Sequence, residues 1–597
     1  MFPNPFAAKE TQIVRVNANS ACRRSGWIIF AVVIGLLAPV LVFQGVLLDG
    51  DDVLYARLAA DMASGNPTFG INTHTFRLGF IAPLAGLYAA FGIHDWTTIA
   101  FPVLCTVLVV FVAAYAAYKL YGPAAAAWAA LLCGLNPILF RNGLTVMPDI
   151  PAGLFYGLFV VGWLLLDANR VRRRRVWAFI SGLACSWAMA TRISVAPMIA
   201  VTLIGLLFLS WRSSALREFP LFYFLLGGCL AGIPFLLSLW WYTGTPLYFL
   251  DAAQGGYNAE GAPWLKALTG LRLWIRLSGL SIIKASVEGY LFAVFPIIVV
   301  MMTLGRDSDI ENSSDVRKHL LLAIISPLLI LSHFSTSFSH WQPVHLDLRF
   351  GSATIIPTAV LVAGACVNFA KFRFSQMAKF STILALFLSV FFLAIGLLKH
   401  NLWTIMGAVA SLIVSVSLMH AHFRLRYIMP SLIVMLLSLN WLYYISHDYK
   451  DVMARKKRIR FEAEAVPLDP NIPILTDNIT AQYLPYLNAF RAEPKVSHWK
   501  GAGEISPPFE WSEGRSTPWP GKYLLVWFPR RADFQTRRWG GSLPQWVLQE
   551  ATQGKLIHQF QYETAESTHN VFDLLRTQAG EYRTWPPAGI YLINGKS

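Results

Sequence analysis

Three carboxylates fall within four residues at Asp49-Gly50-Asp51-Asp52, and Tyr55 follows shortly after. Adjacent carboxylates raise each other's pKa, and one of them can then take a proton from a hydroxyl. Acids also suit a helix N-terminus, so Asp51 or Asp52 equally reads as the cap of a helix starting near Val53. Arg77, in Asn72-Thr73-His74-Thr75-Phe76-Arg77, is placed either to pair a phosphate at headgroup level or to snorkel beside an amphipathic helix. Asp149, in Met147-Pro148-Asp149-Ile150-Pro151, has strongly apolar surroundings. It suits a helix N-cap with Pro151 in the first turn, and a functional role is compatible with that. Arg192, in Thr191-Arg192-Ile193-Ser194, marks a tight turn between two apolar runs and reads as structural.

A last cluster runs from Ser339-His340-Trp341 through His345-Leu346-Asp347-Leu348-Arg349. Guanidinium grips phosphate bidentately, so an arginine clamp on a lipid phosphate is the better-motivated reading. His340 and His345 approach Asp347 in sequence, but the spacing matches no standard zinc pattern. No cofactor is therefore indicated. Asp251, Glu260, Trp264 and Lys266 lie in a longer loop at 242–280 and offer aromatic and polar groups to a sugar.

These groups need elements to hold them, and composition says which. The chain has 597 residues, of which 55% are hydrophobic and 14% charged, with a mean hydropathy of +0.49. Soluble chains are about a quarter charged. A single soluble domain, a disordered chain and a nucleic-acid-binding protein are poor fits, despite the net charge of +16. The expected class is an α-helical polytopic membrane protein. Trp27 to Leu48 forms a first span rather than a signal peptide, with Arg23 and Arg24 holding its start in the cytoplasm. Apolar runs follow near 97–120, 123–141, 148–167, 176–191, 193–211, 219–241, 281–304, 319–334, 350–369, 380–398, 402–420 and 427–445, about thirteen spans in all. Residues 79–93 are too short for a span, hold Pro83 and three glycines, and suit a helix lying along the interface. Basic clusters at 170–175, 212–217, 306–318 and 371–379 then all fall in the cytoplasm, and the C-terminus falls outside. The run Arg455-Lys456-Lys457-Arg458 with Arg460 objects, but four clusters outweigh one.

The tail differs in kind. Sharp turns at Pro507-Pro508 and Pro518-Trp519-Pro520-Gly521 separate apolar runs such as Ile472–Leu475, Tyr523–Phe528 and Ile557–Phe560, which read as strands. Pro544 to Gln553 reads as a helix with Gly554 just past its end. The expected organisation is a cytoplasmic segment at 1–26, a membrane domain at 27–445 with its first outer loop at 49–96, and a small extracytoplasmic α/β domain at 446–597. None of the six cysteines lies after Cys366, so the tail needs no disulfide. The spans are nearly free of ionisable residues, whereas ion-coupled transporters carry charge within the bilayer.

This layout resembles the GT-C superfamily of polytopic glycosyltransferases that use polyprenyl-phosphate sugars, nearest to the protein O-mannosyltransferases and the lipid A aminoarabinose transferase. The residues that carry the resemblance are the acidic pair Asp51-Asp52 with Tyr55, then Arg77 ahead of Pro83-Leu84 and Phe91-Gly92. Asp149, Thr191-Arg192, and Arg349-Phe350 with Pro357 complete the order. The family's second acid is usually glutamate, where this chain has Asp52.

The resemblance implies a sugar transfer at the outer face of the plasma membrane. Asp51 would be the base on an acceptor hydroxyl, attack would invert the anomeric carbon, and Arg77 and Arg349 would stabilise the leaving lipid phosphate. Tyr55, Asp149, His345 and Asp347 would complete the substrate site. The implied partners are a polyprenyl-phosphate sugar donor, a lipid, glycan or protein acceptor, and the bilayer. The alternatives are a lipid-linked saccharide flippase, which wants a charged path through the membrane, and an O-antigen ligase or polymerase, which wants its chemistry in a late outer loop.

Overall fold

The computed structural model describes residues 24–37, 51–69, 74–143, 145–167, 171–210, 220–250, 311–333 and 348–368, and later 409, 460, 463–467, 469, 472–476, 484–487, 496–498, 522–527, 552–559 and 589–594. The chain divides into two compact units. One joins Met1–Val46 to Asp61–Tyr449, and the other joins Leu47–Ala60 to Lys450–Ser597.

The first unit is helical. Its described helices are α1 (Arg24–Leu37), the end of α2 (Asp51–Ala63), α3 (Leu78–Phe91), α4 (Asp95–Tyr121), α5 (Pro123–Gly134), α6 (Pro137–Gly143), α7 (Asp149–Asp167), α8 (Val171–Thr191), α9 (Ala196–Ser210), α10 (Leu221–Thr243), α11 (Glu311–His333) and α12 (Ile355–Asn368). Among the described residues, four helical stretches are long and apolar enough to cross a membrane: Asp95–Tyr121, Asp149–Leu166, Ile193–Ser210 and Leu221–Thr243. The expected spans at 281–304, 380–398, 402–420 and 427–445 lie outside the described residues, apart from Val409.

Several boundaries differ from the sequence reading, each for a local reason. The run at 123–141 is two helices, α5 and α6. Asn136 breaks it: its Oδ1 accepts the backbone N–H of Ile138 at 2.9 Å and of Leu139 at 3.4 Å, and Pro137 opens the new helix. The run at 350–369 begins as a 3-10 helix, Leu348–Thr354, and turns α-helical only at Ile355. The α3 helix is 14 residues long. At 1.5 Å per residue it spans about 21 Å, short of the roughly 30 Å hydrocarbon core. That length fits the interfacial reading.

Cross-ties sort the helix ends into two sets. At one end, Ser25 Oγ donates to the Pro123 carbonyl at 2.7 Å, and Ser210 Oγ lies 3.2 Å from His319 Nε2. Arg175 lies 5.5 Å from the Tyr223 ring centroid, and Gly364 of α12 meets the Tyr121 ring. Starts of α1, α5, α8, α10 and α11 thus lie with ends of α4, α9 and α12, as alternating spans require. Between the two ends, the buried Tyr156 hydroxyl donates to the Ala323 carbonyl at 2.9 Å and lies 2.8 Å from Thr202 Oγ1. One phenol therefore ties α7, α9 and α11 with its polar atom satisfied, which a lipid-embedded bundle demands.

Glycines set the closest packing. A Cβ at Gly182 would strike the Phe224 carbonyl oxygen, and one at Gly227 would strike that of Phe179, so α8 and α10 touch backbone to backbone. Elsewhere on α10, Phe222, Leu230, Trp240 and Trp241 are exposed, Trp241 to 84%. Aromatic exposure at the helix end is the pattern of a lipid-facing helix with an interfacial belt.

In the second unit, the described strands form one sheet in the order β2-β1-β3-β5-β4, with β1 Ile474–Thr476, β2 Val496–His498, β3 Lys522–Trp527, β4 Lys555–Gln559 and β5 Gly589–Asn594. Strands β2, β1 and β3 run parallel, while β5 is antiparallel to both β3 and β4. The three expected strand runs match β1, β3 and β4. Most of the expected helix at 544–553 lies outside the described residues.

Gly182→Ile and Gly227→Ile are each expected to destabilise the protein by about 1–3 kcal/mol, because backbone cannot yield to the new side chain. Gly86→Ile, at a position with open space around its Cβ, is expected to be tolerated. Apparent melting temperatures of the detergent-purified chain check both.

Candidate functional site

The acidic loop opens as a helix, and both Asp51 and Asp52 lie in the first turn of α2. Both readings of the cluster therefore meet at one place: the acids lie where the helix dipole favours them. Asp52 is 3% exposed and Tyr55 is fully buried. Asp51 is half-buried. Two adjacent acids thus occupy different environments, and Asp51 is the more accessible of the two. Farther along α2, Asp61 accepts a hydrogen bond from Thr68 Oγ1 at 2.8 Å and so fastens the loop that follows.

Arg77 stands at the N-terminus of α3, and its carbonyl accepts the N–H of Phe80 and Ile81 at 2.9 and 3.0 Å. A buried apolar cluster of Phe76, Leu78 and Leu239, joined by Met62 and Phe69, anchors the chain on both sides of it. The far end of α3 is tied to α4 through Tyr88, whose hydroxyl lies 2.8 Å from Thr98 Oγ1. Burial pushes the Tyr88 phenol well above its ordinary range, with its Thr98 hydrogen bond opposing, so the phenol stays protonated.

Asp149 is the first residue of α7 and is 2% exposed. Its carboxylate forms an ion pair with the Arg192 guanidinium. Arg192 ends α8 in an extended conformation, φ −157° and ψ 109°, ahead of the 3-10 turn Ile193–Val195. Its Nε donates to Ser194 Oγ at 2.9 Å, which fixes the plane of the guanidinium. The turn expected from the sequence is present, and its arginine has an acid as partner.

Two other segments close on this corner. Gly79, two residues past Arg77, packs against the end of α8: a Cβ there would lie 2.6 Å from Thr191 Oγ1 and 2.7 Å from Thr191 N. Trp187 Nε1 donates to the Gly79 carbonyl at 3.0 Å. On the other side, Ser352 Oγ donates to the Asp149 carbonyl at 2.7 Å. Ser352 lies in the same 3-10 helix as Arg349. The segments bearing Arg77, Asp149, Arg192 and Arg349 therefore meet around one buried ion pair. The sequence singled out all four residues but not Gly79 or Ser352, which carry no chemical signature. His340, His345 and Asp347 lie outside the described residues.

Against known proteins, residues 80–241 match the family model for dolichyl-phosphate-mannose-protein mannosyltransferase. The matched stretch runs from α3 into α10 and contains Asp149, Thr191 and Arg192. The similarity to the GT-C superfamily expected from the order of motifs is thus found by a separate comparison. ArnT from Cupriavidus metallidurans, solved bound to undecaprenyl phosphate, is similar at 14% identity and a TM-score of 0.49, covering 80% of this chain and 86% of that one. The oligosaccharyltransferase of Archaeoglobus fulgidus, in its apo form, is similar at 12% identity and a TM-score of 0.41, covering 78% of this chain and 65% of that one. No curated protein matches the sequence.

Arg192→Gln leaves the Asp149 carboxylate buried without its cation and is expected to cost about 3–5 kcal/mol. The double variant Asp149→Asn/Arg192→Gln is expected to cost less than the sum of the single changes, because neither charge then remains. Melting temperatures of the four proteins close that cycle.

Proposed function

We propose that this chain is a plasma-membrane glycosyltransferase that moves a sugar from a polyprenyl-phosphate donor to an acceptor hydroxyl at the extracytoplasmic face. The match of residues 80–241 to the mannosyltransferase family model carries the reading, since that stretch holds the Asp149–Arg192 corner and begins three residues after Arg77. In this reading Asp51 is the general base, and Asp52, buried beside it, keeps its electrostatic surroundings fixed. The acceptor oxygen attacks the anomeric carbon from the side opposite the phosphate and inverts it. Arg77 and Arg349 take up the charge that develops on the leaving phosphate, where preformed cations act without reorganising. Tyr55, His345 and Asp347 complete the substrate site, while Asp149, already engaged by Arg192, contributes through position.

The orientation proposed is about thirteen spans, a cytoplasmic N-terminus, and an extracytoplasmic α/β domain at the C-terminal end. Its support is the second compact unit. Leu47–Ala60, which follows the first span, groups with Lys450–Ser597 in one compact unit, and segments grouped in this way fit one side of a bilayer. With Arg23 and Arg24 inside, that side is the outside, and the basic run at 455–460 does not reverse it.

Asp51→Asn is expected to lower transfer from a radiolabelled pool of polyprenyl-phosphate sugars by at least about 100-fold, the scale of a lost general base. Asp52→Asn is expected to lower it less. Membranes holding equal amounts of inserted protein give the comparison, and unchanged transfer in both variants would reduce the acidic turn to a helix cap.

A further inference from the structure

We propose that Gly153 and Ser352 form a clamp that positions the Arg349 turn, and so sets how tightly the donor's phosphate is held. The proposal rests on the reading above and adds to it two positioning residues that touch no substrate. Asp149, Gly153 and Gly157 stand at four-residue intervals on α7, which puts them on one face. That face receives the start of the helix pair bearing Arg349. At Gly153 an added Cβ would lie 2.6 Å from the Ser352 carbonyl oxygen, 2.8 Å from its carbonyl carbon and 3.1 Å from its Cβ. At Gly157 an added Cβ would meet the Ile356 side chain, with Ile356 Cβ at 2.8 Å. Between these contacts and the ion pair, Ser352 Oγ donates to the Asp149 carbonyl at 2.7 Å. Ser352, Thr354 and Ile356 are all buried.

The direction of the effect follows from what can move. At Gly153 the obstacle is the backbone of Ser352, not the far end of a flexible side chain. Asp149 cannot yield, since Arg192 holds its carboxylate and α7 holds its backbone. The 3-10 helix Leu348–Thr354 is the lighter body, with poorer hydrogen-bond geometry than α7. A methyl group at Gly153 therefore displaces that turn, and Arg349 with it. Guanidinium–phosphate recognition is bidentate and intolerant of such a shift.

The test uses full-length protein in detergent with radiolabelled undecaprenyl phosphate as the probe. Gly153→Ala is expected to weaken binding by about 10- to 100-fold, the scale of a contact misplaced by an ångström. Ser352→Ala acts in the same direction and serves where Gly153→Ala fails to fold. Ser352→Thr keeps the hydroxyl and is expected to restore binding. In an Arg349→Ala background, Gly153→Ala is expected to cause no further loss, because the clamp acts only through that arginine. Hydrogen exchange in the 348–354 peptide is expected to rise in Gly153→Ala, while exchange in α8 and α10 is unchanged.

Losses that multiply between Gly153→Ala and Arg349→Ala overturn the proposal, as does unchanged exchange at 348–354. A wild-type protein that binds no undecaprenyl phosphate, with Arg349→Ala equally silent, overturns the parent reading and the clamp's binding role together. The exchange experiment then still shows whether the clamp holds the turn.

Discussion

The corner between α8 and α9 depends on one ion pair. A carboxylate alone at the end of a lipid-embedded helix bears a desolvation cost of several kcal/mol, and a guanidinium alone bears a similar one. Asp149 and Arg192 offset each other's cost only if the start of α7 and the end of α8 are held side by side. Once they are, the remaining polar groups of the corner are used as fasteners. The Asp149 carbonyl takes Ser352, the Arg192 Nε takes Ser194, and the Trp187 indole about one turn below takes Gly79. A buried pair is weak evidence for stability in itself. Here its consequence is geometric: it brings together segments that begin or end with an arginine.

Lipid supplies little hydrophobic drive for helices to associate, so close packing has to come from shape. The glycines of this chain show where that matters. Gly182 and Gly227 let α8 and α10 meet backbone to backbone, and Gly79 lets α3 lie on the end of α8. Gly153 admits the 3-10 helix Leu348–Thr354, and Gly157 admits the start of α12. The same device that builds the bundle therefore also fixes rim segments relative to the corner. Packing and site geometry cannot be varied independently at these positions.

Much of this was legible in the sequence, and the limits have physical causes. Hydropathy located the four described stretches that are long and apolar enough to cross a membrane, because length and apolarity are what bilayer crossing demands. The shortness of the proline-containing α3 was legible for the same reason. Arg192 could be read as a turn residue because it interrupts two apolar runs. Its partner could not, since Asp149 lies 43 positions earlier and nothing local links them. Ser352 and Asp149 are separated by 203 residues, so that contact is a property of the fold alone. The break at Asn136-Pro137 was hidden because apolar residues flank it on both sides and hydropathy is blind to a cap. The grouping of Leu47–Ala60 with the C-terminal residues likewise depends on tertiary structure, not on composition.

The two acid-bearing helix starts illustrate how environment divides labour among identical side chains. Asp149 opens α7 with a dedicated cation, and its charge is spent on holding the fold. Asp51 and Asp52 open α2 as neighbours of the same sign, one buried and one half-exposed. Burial takes Asp52 out of water, while Asp51 at the same helix start stays partly accessible. Adjacent positions on a helix face about 100° apart, so one turn of α2 suffices to give two identical side chains different surroundings.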